Sequence, residues 1–133
     1  MPTDYVPAPE GLTRFAEQGD AQAQFHLGQM FGLGLGVDQD YRMAMDWYAQ
    51  AARQDHPRAQ NNLGWTYGMG RGMSQDFIRA YAWYSVAAAH GEATARVNRD
   101  LLAEKMTASQ LERAQTLAQE LAERSADNDS VLT

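Results

Sequence analysis

The sequence predicts an all-α solenoid, and three observations lead to that prediction. A segment that begins at Ala21 recurs from Pro57, an offset of 36 residues. Within each copy, apolar residues recur three and four positions apart, which is the spacing of one face of an α-helix. A glycine-rich turn separates two such helical patterns in each copy. A fixed period in this range is typical of stacked units that cannot bury their apolar faces alone.

The two copies agree at apolar, glycine, aspartate and aromatic positions. Sliding the sequence by 36 residues superimposes Ala23 on Ala59, Gln24 on Gln60, Leu27 on Leu63, Gly28 on Gly64, Asp40 on Asp76, Trp47 on Trp83 and Tyr48 on Tyr84. The glycines at 32, 34 and 36 likewise coincide with those at 68, 70 and 72. Chance does not produce this register, so each copy is one structural unit.

The shared pattern reads A-x-x-x-L-G-x-x-[FY]-G-x-G-x-G-[VM]-x-Q-D, followed by A-x-x-W-Y-x-x-A-A. It resembles the Sel-one-like repeat (SLR) family, a relative of the tetratricopeptide repeat. The resemblance covers residues 19–92 directly, and a weaker third copy extends it towards the C-terminus. It implies a right-handed α/α superhelical solenoid that serves as a protein-binding scaffold, without identifying the partner.

The pattern predicts about seven helices in a fixed order along the chain. Residues 1–9, which contain three prolines, are predicted to form an extended arm. The solenoid domain follows over residues 10–124. It consists of a capping helix at 10–18, full repeats at 20–55 and 56–91, and a degenerate repeat with a terminal helix pair at 92–124. The polar residues 125–133 are predicted to be a flexible tail.

Glycine and aspartate mark the helix boundaries within each repeat. Gly28, and its counterpart in the second copy, weaken a helix interior by about 1 kcal/mol relative to alanine. We therefore expect a neighbouring helix to approach closely there. The first helix is predicted to end near Phe31, with the three glycines that follow in the turn. Asp40 and its counterpart stand where the N-cap of the second helix belongs.

The third copy departs from the shared pattern. Arg99 and Asp100 replace its Leu-Gly pair, and no glycine-rich turn follows. Thr107 and Gln110 have the spacing of a capping box. This spacing predicts a final helix over residues 108–124, which would close the stack.

Composition and charge narrow the class of protein. The 133 residues, 44% hydrophobic and 21% charged, are typical of one globular domain. The net charge of -6 disfavours nucleic-acid binding. Residues 53–99 nevertheless contain six arginines against three acidic residues, which would attract an acidic partner to the second repeat. The alternative is that these charges belong to solvated side chains scattered over the helix surfaces. No segment has the pattern of a transmembrane helix or signal peptide, so we expect a cytoplasmic protein, or a periplasmic one if a signal peptide was removed.

The sequence contains no motif typical of an enzyme or a cofactor site. The turn glycines lack the preceding strand and the following Lys-Ser/Thr of a phosphate-binding loop. His26, His56 and His90 are far apart and lack the spacing of metal ligands. The chain has no cysteine to act as nucleophile. We therefore expect no catalysis, no cofactor and no metal.

A candidate binding surface comes from helix positions that differ between the copies, because packing explains the shared positions. These positions form a stripe with i, i+4, i+7 spacing, made of Gln22, His26 and Gln29, then Arg58, Asn62 and Trp65, then Thr94, Asn98 and Leu101. In tetratricopeptide-like solenoids the first helix lines the concave groove, so the resemblance implies that this stripe faces inward. Asparagine can pair with a peptide backbone, arginine with a carboxylate, and tryptophan can anchor a ligand. The alternative is that Trp65 and Phe25 fill the seam between repeats.

The leading functional hypothesis is a non-catalytic adaptor for a peptide or a partner domain, with an acidic partner as one expectation. Two alternatives stay open. Cysteine-rich relatives in the wider family have been linked to β-lactam binding or cleavage, although this chain has no cysteine. Self-association as a homo-oligomer, with the groove of one molecule receiving the arm or tail of another, is the second. One lysine against ten arginines, with abundant alanine, indicates a bacterial source.

Overall fold

Seven α-helices form the part of the chain that the structure describes. The structure is a computed structural model of residues 9–132, with side chains described over residues 11–125. The helices are α1 (Pro9–Glu17), α2 (Ala21–Leu33), α3 (Tyr41–Ala52), α4 (Pro57–Met69), α5 (Phe77–Ala89), α6 (Ala93–Ala103) and α7 (Ala108–Leu132). Within 9–132 there is no strand, and no helix is both long and apolar enough to cross a membrane. The predicted all-α solenoid is confirmed, and the predicted arm, apart from Pro9, lies outside the described residues.

The helices pack mainly on their neighbours in the chain, as a solenoid requires. The pairs α2–α3 and α4–α5 form the two repeats, α3 packs on α4 between them, and α1 covers α2. The exception is α7, which packs against α5 and hardly touches α6. It also continues to Leu132, past the predicted end at Arg124. The C-terminal helix therefore spans most of the segment that the sequence predicts as a tail.

The glycine that lies under an aromatic ring in each full repeat is absent from α6. Gly28 and Gly64 lie so close to the rings of Tyr48 and Tyr84 that an added Cβ would come within 2.5 Å and 2.8 Å of a ring carbon. The second helix of each full repeat therefore packs directly over a glycine of the first helix. In α6 the corresponding residue is Asp100, whose side chain is 66% exposed. The helix that follows α6, α7, packs on α5 instead.

Polar side chains cap the helices where the repeat pattern predicts. Oδ1 of Asp40 and Oδ1 of Asp76 each accept a hydrogen bond, at 3.0 Å, from the backbone N–H three residues later. Such a cap satisfies a donor that has no partner within the helix. At α7, the N–H of Thr107 donates to Oε1 of Gln110 at 2.9 Å, and the N–H of Gln110 donates to Oγ1 of Thr107 at 3.1 Å. These bonds confirm the predicted capping box.

The turn between α2 and α3 begins later than the sequence predicts. The helix continues past Phe31 through Gly32 to Leu33. Gly34, with φ of 71°, ends it by adopting the left-handed conformation and donating its N–H to a carbonyl of the last turn. Nε2 of Gln39 then donates to the carbonyl oxygen of Gly32 at 2.8 Å and closes the turn. The prediction that all three glycines lie in the turn is therefore wrong for the first, and the second repeat shows the same arrangement.

Two buried glutamines join consecutive repeats. Nε2 of Gln24 donates to the carbonyl oxygen of Ala16 at 3.0 Å, and Nε2 of Gln60 donates to that of Ala52 at 3.0 Å. Oε1 of Gln60 also lies 3.0 Å from Nδ1 of His90. Each amide thus satisfies a carbonyl at the end of the preceding repeat, which explains why glutamine recurs at this position of the pattern.

Candidate functional site

The predicted stripe lies on α2, α4 and α6, the first helices of successive repeats. We call the side of the stack that these three helices form the helix-A face. Trp65 and Leu101 are 44% and 57% exposed there, whereas Gln29 and Asn62 are half-buried. The structure does not gather the stripe into one site. Its residues divide into a pocket, a chain of hydrogen bonds, a separate row on α6 and Arg58, which lies over the ring of Phe25.

A pocket of about 300 Å³ opens between α2, α3 and α4. Three residues of the stripe line it, namely Gln29, Asn62 and Trp65. The other lining residues are Gly32, Leu33, Gln39, Tyr41, Ala44, Tyr48 and Thr66. None of these residues is charged. This helix-A pocket therefore combines amide and hydroxyl groups for hydrogen bonding with the apolar surfaces of leucine and tryptophan, as ligand pockets commonly do.

Trp65 and Phe25 have different roles, although the sequence allows the same role for both. Phe25 is 0% exposed and lies in the seam between repeats, whereas Trp65 remains 44% exposed at the pocket. Phe25 therefore fills the seam between the repeats, whereas Trp65 is not part of the buried cluster there. Asn62 hydrogen-bonds the hydroxyl group of Tyr48. Burial raises the pKa of Tyr48, and the bond to Asn62 opposes that rise, so Tyr48 stays a neutral phenol at physiological pH.

Gln22, His26 and Gln29 form a chain of hydrogen bonds that begins at His56. The backbone N–H of Ala59 donates to Nδ1 of His56 at 3.1 Å, so a neutral His56 carries its proton on Nε2. That nitrogen lies 2.7 Å from Oε1 of Gln22, to which it donates. Nε2 of Gln22 then lies 3.0 Å from Nε2 of His26, and Nδ1 of His26 lies 3.4 Å from Oε1 of Gln29. The chain connects the start of α4 to the edge of the helix-A pocket.

Arg58 belongs to the seam and does not line the pocket. Its Cζ atom lies 4.8 Å from the ring centroid of Phe25. The ring of His56 also stacks on Phe25, with centroids 4.7 Å apart. Arg58 forms no ion pair with any side chain among residues 11–125. Its charge is therefore balanced by the aromatic ring and by solvent.

Acid is expected to destabilise this seam through His56. Burial, and then the charge of Arg58, lower the pKa of His56 below its usual value of 6.5. A histidine whose pKa is lowered by folding contributes stability above the unfolded-state pKa and loses it as the pH falls through the folded-state pKa. The free energy of unfolding should therefore decrease as the pH falls below 6.5, the unfolded-state value, and through the lower folded-state pKa. Urea unfolding of the wild type and of His56→Asn, which can still cap α4, measures the effect, and an equal decrease in both would contradict it.

The third row of the stripe lies apart from the pocket. Nδ2 of Asn98 donates to Oδ1 of Asn61 at 3.1 Å, which joins α6 to α4. Thr94 and Leu101 are exposed, and neither lines the helix-A pocket. Asn98 is therefore hydrogen-bonded within the stack. It does not line the helix-A pocket, so the partner contact predicted for it lies outside that pocket.

Sequence reasoning missed seven of the ten residues that line the pocket, among them Leu33, Tyr41 and Tyr48. Leu33 was hidden because the glycine before it predicted a turn, whereas the helix continues. The two tyrosines belong to α3, and Tyr48 is a shared position that packing already explained. The available signal was the pairing of Tyr48 with Gly28, since the ring that packs over Gly28 brings its hydroxyl group close to Gly32, which also lines the pocket.

Comparisons with known proteins agree with this architecture. The family model of the Sel1 repeat matches residues 21–56 and 57–92. The chain is similar to the structure of a protective antigen present in uropathogenic Escherichia coli strains that displays an SLR fold, with a TM-score of 0.86 and 34% identity over 90% of this chain and 26% of that one. It is also similar to a Sel1 repeat protein from Oxalobacter formigenes, with a TM-score of 0.67 and 34% identity over 70% of this chain and 38% of that one. A search of curated proteins finds no match.

The matched segments coincide with the helix pairs α2–α3 and α4–α5 and with the offset found in the sequence. The chain spans 26% and 38% of the length of the two solved relatives. Sel1 repeats generally serve as protein–protein interaction modules and are typically non-catalytic. The chain belongs to the Sel1 repeat family.

Proposed function

We propose that this chain is a non-catalytic adaptor that binds a peptide segment of a partner protein in the helix-A pocket. The observation that supports this function is the position of Trp65, 44% exposed beside an uncharged pocket. Tryptophan at the centre of a concave surface is typical of interface hot spots. Gln29 and Asn62 stand beside it, and their amide groups can both donate to and accept from a peptide backbone.

The chemistry of the pocket favours an uncharged side chain at the centre of the bound segment. A charged group would lose its hydration inside the pocket and meet no opposite charge, which is costly. An apolar side chain would instead pack against Trp65 and Leu33. An acidic flank of the same peptide would be attracted by the basic second repeat, including the exposed Arg58.

The proposal predicts that Trp65→Ala weakens binding much more than it weakens folding. Partners are first captured with the wild type and identified by mass spectrometry, and the segment they share is then titrated as a purified peptide. Loss of an aromatic anchor should cost about 2 kcal/mol of binding, a roughly 30-fold rise in Kd. The melting temperature should change little, because the indole is largely exposed.

Phe15→Ala is a matched control, since this ring is 57% exposed on α1 and does not line the pocket. It should leave the Kd unchanged. Equal Kd values for Trp65→Ala and the wild type would refute the pocket as the binding site. Light scattering across concentrations decides whether the partner is a second copy of this chain, because self-association through the pocket would disappear in Trp65→Ala.

A further inference from the structure

A second, larger cavity of about 580 Å³ lies between α7 and the body of the stack. We call it the α5–α7 cavity. It is lined by Ala52, Arg53, Asp55, Gln60, Tyr67, Arg79, Trp83, Val86, Leu117, Leu121, Arg124 and Ser125. The cavity exists because α7 packs on α5 and reaches back to the junction of α3 and α4. It shares no lining residue with the helix-A pocket.

The charge of this cavity is opposite to that of the whole chain. Three arginines line it, Arg53, Arg79 and Arg124, against the single carboxylate of Asp55, in a chain of net charge -6. Asp55 is already engaged, since its Oδ2 accepts a hydrogen bond from the hydroxyl group of Ser125. Arg53 and Arg124 form no ion pair with any side chain over residues 11–125. Within that range neither guanidinium group is held by a carboxylate, and both line the cavity, where they can meet an anion.

The third arginine is only weakly held. Nη1 of Arg79 lies 3.4 Å from Oδ2 of Asp76, while the other oxygen of that carboxylate caps α5. The Arg79 side chain is 59% exposed, so its ion pair is screened by water and contributes little. A bound carboxylate can compete for it through a two-pronged hydrogen bond.

Apart from Gln60 and Ser125, the rest of the lining is apolar and aromatic. It includes Leu117 and Leu121 of α7 and Trp83 and Val86 of α5. A free inorganic anion would contact only the arginines and leave the apolar part of the lining exposed to water. A ligand that carries both carboxylates and an apolar side chain would use both parts of the lining.

We propose that the α5–α7 cavity binds an acidic peptide segment of a protein partner, with its carboxylates on Arg53, Arg79 and Arg124 and an apolar side chain against Leu117 and Leu121. This site is independent of the helix-A pocket. It places a charge-selective contact on the second-helix side of the stack, so one chain could hold two segments at once.

The three tryptophans provide a direct test by NMR. The probe is an acetylated and amidated hexapeptide that repeats the order aspartate, leucine, glutamate, and its control replaces every acid by the corresponding amide. The indole N–H signal of Trp83 reports on the α5–α7 cavity, that of Trp65 on the helix-A pocket, and that of Trp47 on neither. We expect a saturable shift of the Trp83 signal and of the arginine Nε–H signals with the acidic probe alone. No shift at Trp83, or an equal shift with the amide peptide, would overturn the proposal, whereas a shift at Trp65 alone would favour the helix-A pocket instead.

A pair of variants separates specific contacts from general attraction. Arg53→Gln with Arg124→Gln should weaken binding of the acidic hexapeptide by about tenfold or more, because two charge-assisted hydrogen bonds are lost. Arg14→Gln with Arg42→Gln changes the net charge equally at exposed positions outside the cavity. This second pair should retain the wild-type Kd. Equal weakening by both pairs would show only long-range attraction and reject the site, and thermal melts confirm that each variant is folded.

Discussion

Replacing Phe25 by alanine is expected to lower the free energy of unfolding by about 3–5 kcal/mol, the usual cost of removing a fully buried aromatic ring. The ring is 0% exposed and belongs to a cluster with Tyr48 and Leu63, so it contacts helices of both repeats. Its removal also deprives His56 and Arg58 of the ring on which they lie, with centroid distances of 4.7 Å and 4.8 Å. Because each repeat is stabilised mainly by its neighbours, a cavity at this seam should weaken the whole stack.

Urea denaturation monitored by circular dichroism measures this loss. Phe15→Ala is the control, because the same truncation at a ring that is 57% exposed should stay within about 0.5 kcal/mol of the wild type. If Phe25→Ala lowered the free energy of unfolding no more than the control does, packing at the seam would not be what stabilises the two repeats against each other.

The double variant Gly28→Ala/Gly64→Ala is expected to lose about 4 kcal/mol of stability. At Gly28 the new Cβ would lie 2.5 Å from two ring carbons of Tyr48, and at Gly64 it would lie 2.8 Å from a ring carbon of Tyr84. Both rings are buried and cannot turn away, so each clash should cost about 3 kcal/mol, the upper end of the usual range for overpacking. Alanine recovers roughly 1 kcal/mol of helix propensity at each site, and sites in different repeats add.

A matched control lies one helical turn further along the same two helices. In Gly32→Ala/Gly68→Ala the nearest atoms to the new Cβ are 3.7 Å and 3.6 Å away, an ordinary contact distance. Helix propensity then acts alone, and this variant should be more stable than the wild type by roughly 1–2 kcal/mol. Thermal melts of both double variants should move in opposite directions. A shift of the same sign in both would show that the rings of Tyr48 and Tyr84 yield, and that these glycines do not set the distance between helices.

The pattern of residues was sufficient to predict the repeat architecture, because its determinants are local or recur at a fixed offset. Each determinant depends on a few neighbouring residues or on one position of the 36-residue repeat. Examples are the N-caps at Asp40 and Asp76, the capping box at Thr107 and the close approach of helices at Gly28. The same reasoning placed Arg58, Asn62 and Trp65 on one stripe, of which Asn62 and Trp65 line the helix-A pocket and Arg58 does not. It misplaced Gly32, because glycine permits a turn but does not require one.

Only the tertiary structure decided where the cavities lie. The helix-A pocket forms where Tyr41 and Tyr48 of α3 lie beside Trp65 of α4. The proximity of these side chains depends on the rotation between the first repeat and the second. The α5–α7 cavity depends on α7 leaving its place beside α6 and reaching Asp55, which is 70 residues from Ser125 in the chain. No local pattern in the sequence indicates that α7 packs on α5 and not on α6, because the surface of α5 that α7 covers is formed only once the helices have stacked.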